Sequence, residues 1–527
     1  MSPLPPTGQG IRETSRGYVD YPVDTVDNSE NSQLHALWGV NAAVDGIDAC
    51  VAALAEAEAA GILPVTSTCN LSCVFCSNRA NPPGVRVHHL PPRSLPEIRA
   101  ALSRMGHLDE IVIGESASRV SEGEPLTHPR FEAILAAVRE VLPRALVKVT
   151  TNGTLLDRRM AALFKARRPL EVTLSLNTCS PEGYRKVHGL GRGSGSGHDP
   201  MAAVRALSEA GVPFHASVVP VPALTGPGDL LETARRLDES DCLSLRVLVP
   251  AHTSFSDPGL VGLLPPREEV ARLAEEARRA VRLPVTLEPP QVADLRARLA
   301  GVIRGSPAAA AGLRTGDVLE EVEGHHPFSR VDAFRRLTAA LRQTGSCRVR
   351  VAGRGEVTLR TDDPTGRPGV VLDRDVDPRD IRLVLRTAAR LRARRVLVLT
   401  SALGAGPLEM GFRAAARWDA VGRQGAGRRR RGVRAHPEGT GPAVHVVPVA
   451  SRSFGGSIAA AGLLTVSDFA CALEPLVRDR AVQGGDLVFL PPVSFGVDGL
   501  DLFGRPPADL QALLPRGARL IVPGLTF

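Results

Sequence analysis

Three cysteines lie close together in the segment 66–76, which directly follows the short apolar run 62–65. Three residues separate Cys69 from Cys73, and two separate Cys73 from Cys76. On a loop that leaves a strand, three thiols with this spacing can converge on one inorganic cluster. A cubane iron–sulfur cluster usually takes four thiolates. Three cysteines would therefore leave one iron open for a ligand that is not protein.

A structural zinc site is the main alternative for these thiols. It would need a fourth ligand, such as His88, His89 or Cys179, to complete a tetrahedron. Zinc sites usually draw on paired Cys-x-x-Cys knuckles, and the sequence contains no second knuckle. A disulfide framework is disfavoured, because the cysteines are few and crowded in a chain long enough to bury its own core. The spacing therefore favours a cluster.

With Phe75 just before the last cysteine, this segment resembles the signature of the radical S-adenosylmethionine (SAM) superfamily. The resemblance implies a [4Fe-4S] cluster on Cys69, Cys73 and Cys76, with SAM on the fourth iron, and it places Phe75 in the cofactor site. It further implies that an electron splits SAM into methionine and a 5′-deoxyadenosyl radical, which abstracts a hydrogen atom from a substrate. An electron donor such as flavodoxin or ferredoxin would then be a partner.

A second segment, Ser121-Glu122-Gly123-Glu124-Pro125, resembles the Gly-Glu-Pro motif of the same superfamily. In that motif the backbone and the glutamate hold the amino group of SAM, so the resemblance assigns Glu122, Gly123, Glu124 and Pro125 to cofactor binding. An ammonium group near a positive cluster needs carbonyls and a carboxylate around it, and glycine lets the backbone approach. The motif usually follows a strand directly, whereas residues 114–120 intervene here. A plain Gly-Pro turn before a helix is the alternative.

Polar residues end the third and fourth predicted strands, at Asn152 and at Ser175 and Asn177. They resemble the superfamily's strand ends that face the ribose and methionine of SAM, and hydroxyl and amide groups suit sugar hydroxyls because they donate and accept. Asn-Gly is equally a common turn. Arg185 could meet a SAM or substrate carboxylate, or face solvent. Cys179 could donate a hydrogen atom to a substrate radical, or simply be buried.

Apolar strands and amphipathic helices alternate from residue 62 onward. We predict strands at 62–66, 110–113, 146–151, 170–177, 214–221 and 243–249, and helices near 47–59, 95–104, 130–141, 157–166, 200–210 and 228–238. Such alternation specifies parallel strands with crossover helices. Six units resemble the partial (β/α)6 TIM-type barrel of radical SAM enzymes, and in barrels of this type chemistry occurs at the carboxyl ends of the strands.

The pattern changes near residue 292. The segment 301–319 resembles the PDZ domains of bacterial proteases, with a short helix after Ser-Pro and a Gly-Asp turn before the next strand. A helix at 331–341 and strands at 347–351 and 356–359 would complete a small β-rich domain. PDZ domains capture a peptide by adding it as a strand to a sheet edge. The alternative is that this module only packs against the barrel.

Residues 453–468 and 485–492 resemble an uncharacterised C-terminal domain that accompanies radical SAM and PDZ modules in one bacterial family. Strands predicted at 395–400, 444–449, 487–490 and 520–522 make this region α/β. Gly455 and Gly456 could cradle a phosphate, but packing is favoured because no nucleotide fingerprint surrounds them. The predicted organisation is a flexible lead and helix at 1–60, a barrel at 61–290, a PDZ-like domain at 291–362 and a C-terminal α/β domain at 363–527.

Composition excludes several classes of protein. The chain has 527 residues, 43% of them hydrophobic, which is typical of several globular domains. Its net charge is +8, yet the dense arginine cluster at 428–434 has no interleaved aromatic residues, so nucleic-acid binding is not expected. No apolar stretch is long enough for a membrane span, and the N-terminus has no signal-peptide features, so we expect a cytoplasmic location.

These observations predict a radical SAM enzyme that acts on a small molecule or a peptide. Two alternatives stay open: a PDZ-based scaffold or sensor with a non-catalytic cluster, and a zinc-binding domain. The sequence identifies neither the substrate nor whether SAM is consumed or regenerated.

Overall fold

A computed structural model of the chain describes residues 49–524, apart from 77, 79, 118, 190–198 and 426–441, and for 417–425 it describes only a helical backbone. The expected flexible lead and the arginine cluster at 428–434 lie outside the described residues. None of the helices in the described part is long and apolar enough to cross a membrane.

The described strands are numbered in chain order. They are β1 His88–His89, β2 Glu110–Ile113, β3 Val120–Ser121, β4 Leu146–Thr151, β5 Leu170–Ser175, β6 Phe214–Val218, β7 Leu245–Leu248, β8 Val285–Glu288, β9 Ala297–Arg298, β10 Gly301–Val302, β11 Val318–Val322, β12 Ser346–Val351, β13 Gly355–Arg360, β14 Val370–Val371, β15 Arg395–Ser401, β16 Ala443–Val449, β17 Leu487–Phe489 and β18 Arg519–Ile521.

The α-helices of the described residues are referred to by their bounds. They are Ala49–Ala59, Leu95–Arg104, Phe131–Val141, Arg158–Ala166, Pro181–Val187, Ala202–Ala210, Pro222–Thr225, Asp229–Asp238, Pro258–Val261, Arg267–Ala280, Pro307–Ala310, Arg330–Thr344, Pro378–Arg390, Ala402–Gly425, Val466–Arg478 and Ala508–Gln511.

The largest sheet has six strands in the order β2-β4-β5-β6-β7-β8, and every neighbouring pair is parallel. A helix lies between each strand and the next, and the buried apolar residues of sheet and helices form one continuous core. The prediction of an α/β fold with a parallel sheet is confirmed. Since the strands are parallel, all their carboxyl ends meet at one edge.

The predicted first strand at 62–66 is wrong. Only Ile62 pairs with the sheet, as an isolated bridge to Val112. Pro64 has no backbone N–H to contribute to a ladder, and the Val65 N–H donates to the Glu122 carboxylate at 2.6 Å. At the other edge, β8 is an additional strand that the sequence analysis missed, since prolines at 284 and 289 leave only four residues between them, of which two are apolar.

Residues 297–371 contain an antiparallel sheet in the order β13-β12-β11-β9, a β10-β14 pair and the helix Arg330–Thr344. They have a core of their own. This unit packs against the barrel through β10: a Cβ added to Gly301 would lie 2.3 Å from the Pro284 Cβ. Arg304 adds hydrogen bonds to the carbonyls of Asp238 and Ser240. The identification of this unit as PDZ-like stays a prediction.

The last sheet has the order β16-β15-β17-β18 with all strands parallel, and the strands lie close to the predicted ranges. One apolar cluster covers each face of this sheet. The order places β15 and β17, neighbours in the sheet, on either side of the point where the winding reverses, as in doubly wound α/β folds.

Candidate functional site

The loop that carries the three cysteines has no regular secondary structure and is fastened to the helix Pro181–Val187. The Ser72 N–H donates to the His188 carbonyl at 3.2 Å, and the Val74 N–H donates to the Val187 carbonyl at 2.9 Å. Within the loop, the Cys76 N–H donates to the Cys73 carbonyl at 3.2 Å. Cys69 is exposed, and Cys73 and Cys76 are half-buried.

His188 is a residue of the site that the sequence analysis did not single out. It is fully buried, and its Nδ1 lies 3.0 Å from the Cys73 Sγ. The Tyr184 ring packs 4.1 Å from the imidazole between centroids, and Phe75 meets it edge-on at 6.4 Å. In the sequence, the only signal beside His188 was the following Gly189. The structure shows why glycine is required there: its φ is 63°, and an added Cβ would lie 2.8 Å from the Ser72 carbonyl oxygen.

The contacts of the thiols bear on the choice between a cluster and a zinc ion. Ligands of one tetrahedral zinc, a sulfur and a nitrogen, would lie roughly 3.6 Å apart, so the 3.0 Å contact of Cys73 with His188 is a hydrogen bond. In the part of the chain that the structure describes, no three His, Cys, Asp or Glu side chains, the three cysteines included, are grouped to hold one metal ion. A cubane instead spreads its thiolates over separate irons. A donor set of three cysteines fits a cluster that leaves one iron open.

The Gly-Glu-Pro segment lies directly against the cysteine loop. The Gly123 N–H donates to the Thr66 carbonyl and the Glu124 N–H to the Thr68 carbonyl, both at 2.8 Å. A Cβ added to Gly123 would lie 2.0 Å from the Thr68 carbonyl oxygen. Glycine is therefore required here, and the close approach that it permits is to the backbone of the loop.

The two glutamates of this segment accept hydrogen bonds from the protein. The Glu124 carboxylate accepts from the Thr151 hydroxyl at 2.7 Å and from the Asn152 N–H at 2.6 Å. Burial raises the pKa of Glu124, and burial raises the pKa of Glu122 to about 8. Glu122 accepts from the Val65 N–H. Glu122 thus holds the residue that precedes the loop, Glu124 holds the end of β4, and contact of Glu124 with the SAM amino group stays a prediction.

Asn152 connects the end of β4 to the cysteine loop. Its Nδ2 donates to the Asn70 Oδ1 at 2.9 Å, and its Oδ1 accepts from the Thr154 hydroxyl at 2.6 Å. Asn70 in turn donates to the Thr154 hydroxyl at 2.8 Å. Since Asn70 lies between the first two cysteines, this network ties the loop to the residues that follow β4.

Ser175 and Asn177 lie at the carboxyl end of β5, as predicted from the strand pattern. Asn177 is buried with φ of 63°, a conformation that asparagine tolerates better than most residues. Its Oδ1 accepts from the Val219 N–H at 3.0 Å, which joins the ends of β5 and β6. Ser175 is half-buried and pairs with Ser217 of β6. The amide of Asn177 therefore has a structural role in the loop, and its contact with SAM stays a prediction.

Cys179 opens onto a separate cleft of about 590 Å³, whose lining includes Asp229, Glu232 and Arg236 and none of the three clustered cysteines. The thiol is 7% exposed, and burial raises its pKa. The structure therefore does not bring Cys179 into the cysteine loop. Arg185 is half-buried on the helix Pro181–Val187, and its contact with a carboxylate stays a prediction.

Comparison with known proteins identifies this region. Residues 63–237 match the family described as the Radical SAM superfamily. The chain is 33% identical over 133 residues to the probable GTP 3′,8-cyclase of Methanosarcina mazei, which covers 24% of this chain and 35% of that protein. It is 31% identical over 132 residues to the GTP 3′,8-cyclase of Aquifex aeolicus, covering 24% and 37%. The chain thus spans about a third of the length of these relatives.

Two solved structures are also similar. One is native anSMEcpe with bound AdoMet and the Cp18Cys peptide, at 18% identity over 41% of this chain and 57% of that chain, with a TM-score of 0.31. The other is Streptococcus suis SuiB bound to S-adenosylmethionine, at 14% identity over 50% and 61%, with a TM-score of 0.32. TM-scores this low do not establish a common fold.

Residues 63–237 are therefore a radical SAM domain. Domains of this class bind a [4Fe-4S] cluster and SAM. The matched residues include the whole cysteine loop and the Gly-Glu-Pro segment, and they end before the sheet of residues 395–521.

Proposed function

We propose that the chain is a radical SAM enzyme in which Cys69, Cys73 and Cys76 hold a [4Fe-4S] cluster. When bound, the cluster and SAM supply a 5′-deoxyadenosyl radical for hydrogen abstraction. The observation that carries the proposal is the contact between the cysteine loop and Gly123-Glu124, within a segment that matches the superfamily. Two separate parts of the sequence, each resembling a motif of that superfamily, meet at one place in the fold.

The chain's own residues would prepare this site in three ways. The backbone of Gly123 and Glu124 holds the loop through paired hydrogen bonds. Asn152 orients the turn between the first two cysteines through Asn70. His188 contacts the Cys73 sulfur, and once that sulfur is a metal-bound thiolate it can only accept, so Nδ1 must carry the proton.

One experiment tests the proposal against a zinc site and a scaffold. The full chain is reconstituted anaerobically with iron and sulfide, and iron content and 5′-deoxyadenosine released from SAM with dithionite are measured. We expect about four irons per chain and product, and we expect Cys73→Ala to lose both. Cys471→Ala, at an exposed cysteine outside the matched segment, is the control. Zinc in place of iron, or a cluster that never cleaves SAM, would reject the enzyme.

The substrate is open between a small molecule and a peptide. A peptide added to β10 would have to displace the contact of Gly301 with Pro284, so the packing of this module favours the interpretation that it supports the barrel. GTP belongs to the named activity of the cyclases, and a match over 24% of this chain does not transfer it. Flavodoxin or ferredoxin is proposed as electron donor on the superfamily resemblance alone. For a protein with an oxygen-sensitive cluster, we propose a reducing, cytoplasmic location.

A further inference from the structure

The carboxyl-end loops of the two parallel sheets contact each other. The loop after β7 pairs with the loop after β16: the Ser254 N–H donates to the Phe454 carbonyl at 2.8 Å, and the Ser457 N–H donates to the His252 carbonyl at 2.9 Å. A Cβ added to Gly456 would lie 2.2 Å from the same His252 oxygen. Ligands of parallel α/β sheets bind outside the carboxyl ends of the strands. The C-terminal domain therefore packs on the edge of the barrel where chemistry is expected.

A second contact involves the residues that lie between β2 and the Gly-Glu-Pro segment. Arg119 is 4% exposed. Its Nη1 donates to the Asp498 carboxylate at 2.7 Å, and its Nη2 donates to the Leu500 carbonyl and, at 3.1 Å, to the Asp501 carbonyl. All three acceptors belong to the loop after β17. One buried guanidinium of the barrel is thus held mainly by the C-terminal domain.

From Arg119, consecutive residues lead to the cysteine loop. The Arg119 carbonyl accepts from the His88 N–H at 2.8 Å, and Val120–Ser121 pair with β1. The Ser121 carbonyl accepts from the Ser67 hydroxyl. Gly123 then binds Thr66 through its N–H. Each step is a direct hydrogen bond or strand pair, so a shift of Arg119 would be transmitted to the backbone beside the cysteines.

We propose that Arg119 is a positioning residue through which the C-terminal domain holds the Gly-Glu-Pro segment against the cysteine loop. This inference rests on the proposed function, since it makes the C-terminal domain part of the SAM site. The side-chain acceptor of Arg119, Asp498, lies in another domain, so it can be changed without altering any residue of the loop. Loss of the hydrogen bonds between Arg119 and the C-terminal domain should weaken SAM binding while the cysteines still hold iron.

The test uses the full chain with Asp498→Asn, which keeps the shape of the side chain and leaves Arg119 its two backbone carbonyls. Hydrogen–deuterium exchange of peptides covering 114–124 is measured without metal, and the SAM dissociation constant and iron content are measured after reconstitution. We expect faster exchange confined to 114–124 and SAM binding weaker by roughly tenfold, the scale on which residues behind the ligands act, with unchanged iron. Asp509→Asn, at an exposed pair with Arg505, is the matched control.

Unchanged exchange at 114–124, or faster exchange with unchanged SAM affinity, would overturn the inference. Arg119→Lys, which keeps the positive charge, should also speed exchange at 114–124 and weaken SAM binding. A general loss of stability would not confine the faster exchange to this segment. If the native chain binds iron but no SAM, the proposed function fails separately. The exchange of 114–124 in Asp498→Asn then decides by itself whether Arg119 holds this segment.

Discussion

Two places in the radical SAM domain present cysteine thiols, and they differ in exposure and in neighbours. On the loop 66–76 the thiols are exposed or half-buried, and backbone hydrogen bonds to neighbouring segments hold the loop. Cys179 is buried in a cleft with acidic residues, and burial raises the pKa of its thiol. Since the thiolate is the metal-binding form, the first place suits a cluster and the second keeps its thiol protonated. A position near strand ends is therefore not sufficient for a thiol to suit a metal cluster, and hydrogen donation by Cys179, which needs the S–H form, stays a prediction.

The largest expected effect separates these two places directly. Cys73→Ala should abolish iron binding and SAM cleavage, whereas Cys179→Ala should retain both. Iron content and 5′-deoxyadenosine after reconstitution are the measurements. A Cys179→Ala protein that holds iron but makes no product would support the catalytic role predicted from the sequence, and loss of its iron would contradict the comparison.

The next effect concerns the close backbone contact of Gly123 with Thr68, which the cleft of Cys179 does not have at Gly228. Gly123→Ala places a methyl group 2.0 Å from the Thr68 carbonyl, and overpacking of this kind costs about 3 kcal/mol of unfolding free energy. We expect this loss in denaturant titrations, together with poor iron retention. Gly228→Ala, in the cleft of Cys179, has open space around the added Cβ and should change neither quantity. Equal effects of the two substitutions would refute the contact argument.

The buried carboxyl group behind the loop predicts a dependence on pH. Burial raises the pKa of Glu122 from 4.5 to about 8, so the folded state holds a proton that the unfolded state releases. The stability contributed is fully present below pH 4.5 and is lost as the pH rises towards 8. At about 1.4 kcal/mol per pKa unit, the difference between the folded and unfolded pKa of Glu122 corresponds to a loss of roughly 3–5 kcal/mol in the free energy of unfolding.

Glu122→Gln should remove this dependence, because a neutral amide oxygen can still accept from the Val65 N–H. The free energy of unfolding of the metal-free chain, measured at pH 5.5 and pH 8, checks it. The native chain should lose stability between these values, and the variant should lose much less. Glu140→Gln, at an exposed ion pair with Arg99, provides the control. A native chain that is equally stable at both values would show that Glu122 is ionised in the fold.

The smallest effect concerns His188. A hydrogen bond to a charged sulfur is worth about 1.5 kcal/mol, which for a one-electron couple corresponds to a shift of up to roughly 60 mV. Such a bond favours the more negative, reduced cluster, so His188→Leu should lower the midpoint potential, and His188→Asn, which keeps a donor near Nδ1, should shift it less. A redox titration followed by electron paramagnetic resonance measures both. Equal potentials in all three proteins would remove His188 from the site.

Much of the fold could be predicted because its signals are local. The alternation of apolar strands and amphipathic helices placed five of the six barrel strands and all four C-terminal strands close to the observed bounds. The segment 62–66 was predicted wrongly because its composition favours a strand, whereas its Val65 N–H donates to a carboxylate 57 positions away, at Glu122. The role of His188 was missed for the same reason, since its partner Cys73 is 115 positions away.

The sequence by itself determined the three-cysteine donor set, the Gly-Glu-Pro segment and the α/β class, because residue types and their spacing are sufficient to specify them. Only the tertiary structure decided that Gly123 meets the cysteine loop, that Cys179 faces a different cleft and that Arg119 joins the barrel to the C-terminal domain. These contacts depend on the order of the strands in each sheet and on how the domains pack together. The residues in each contact are far apart in the chain, so no local sequence pattern predicts them.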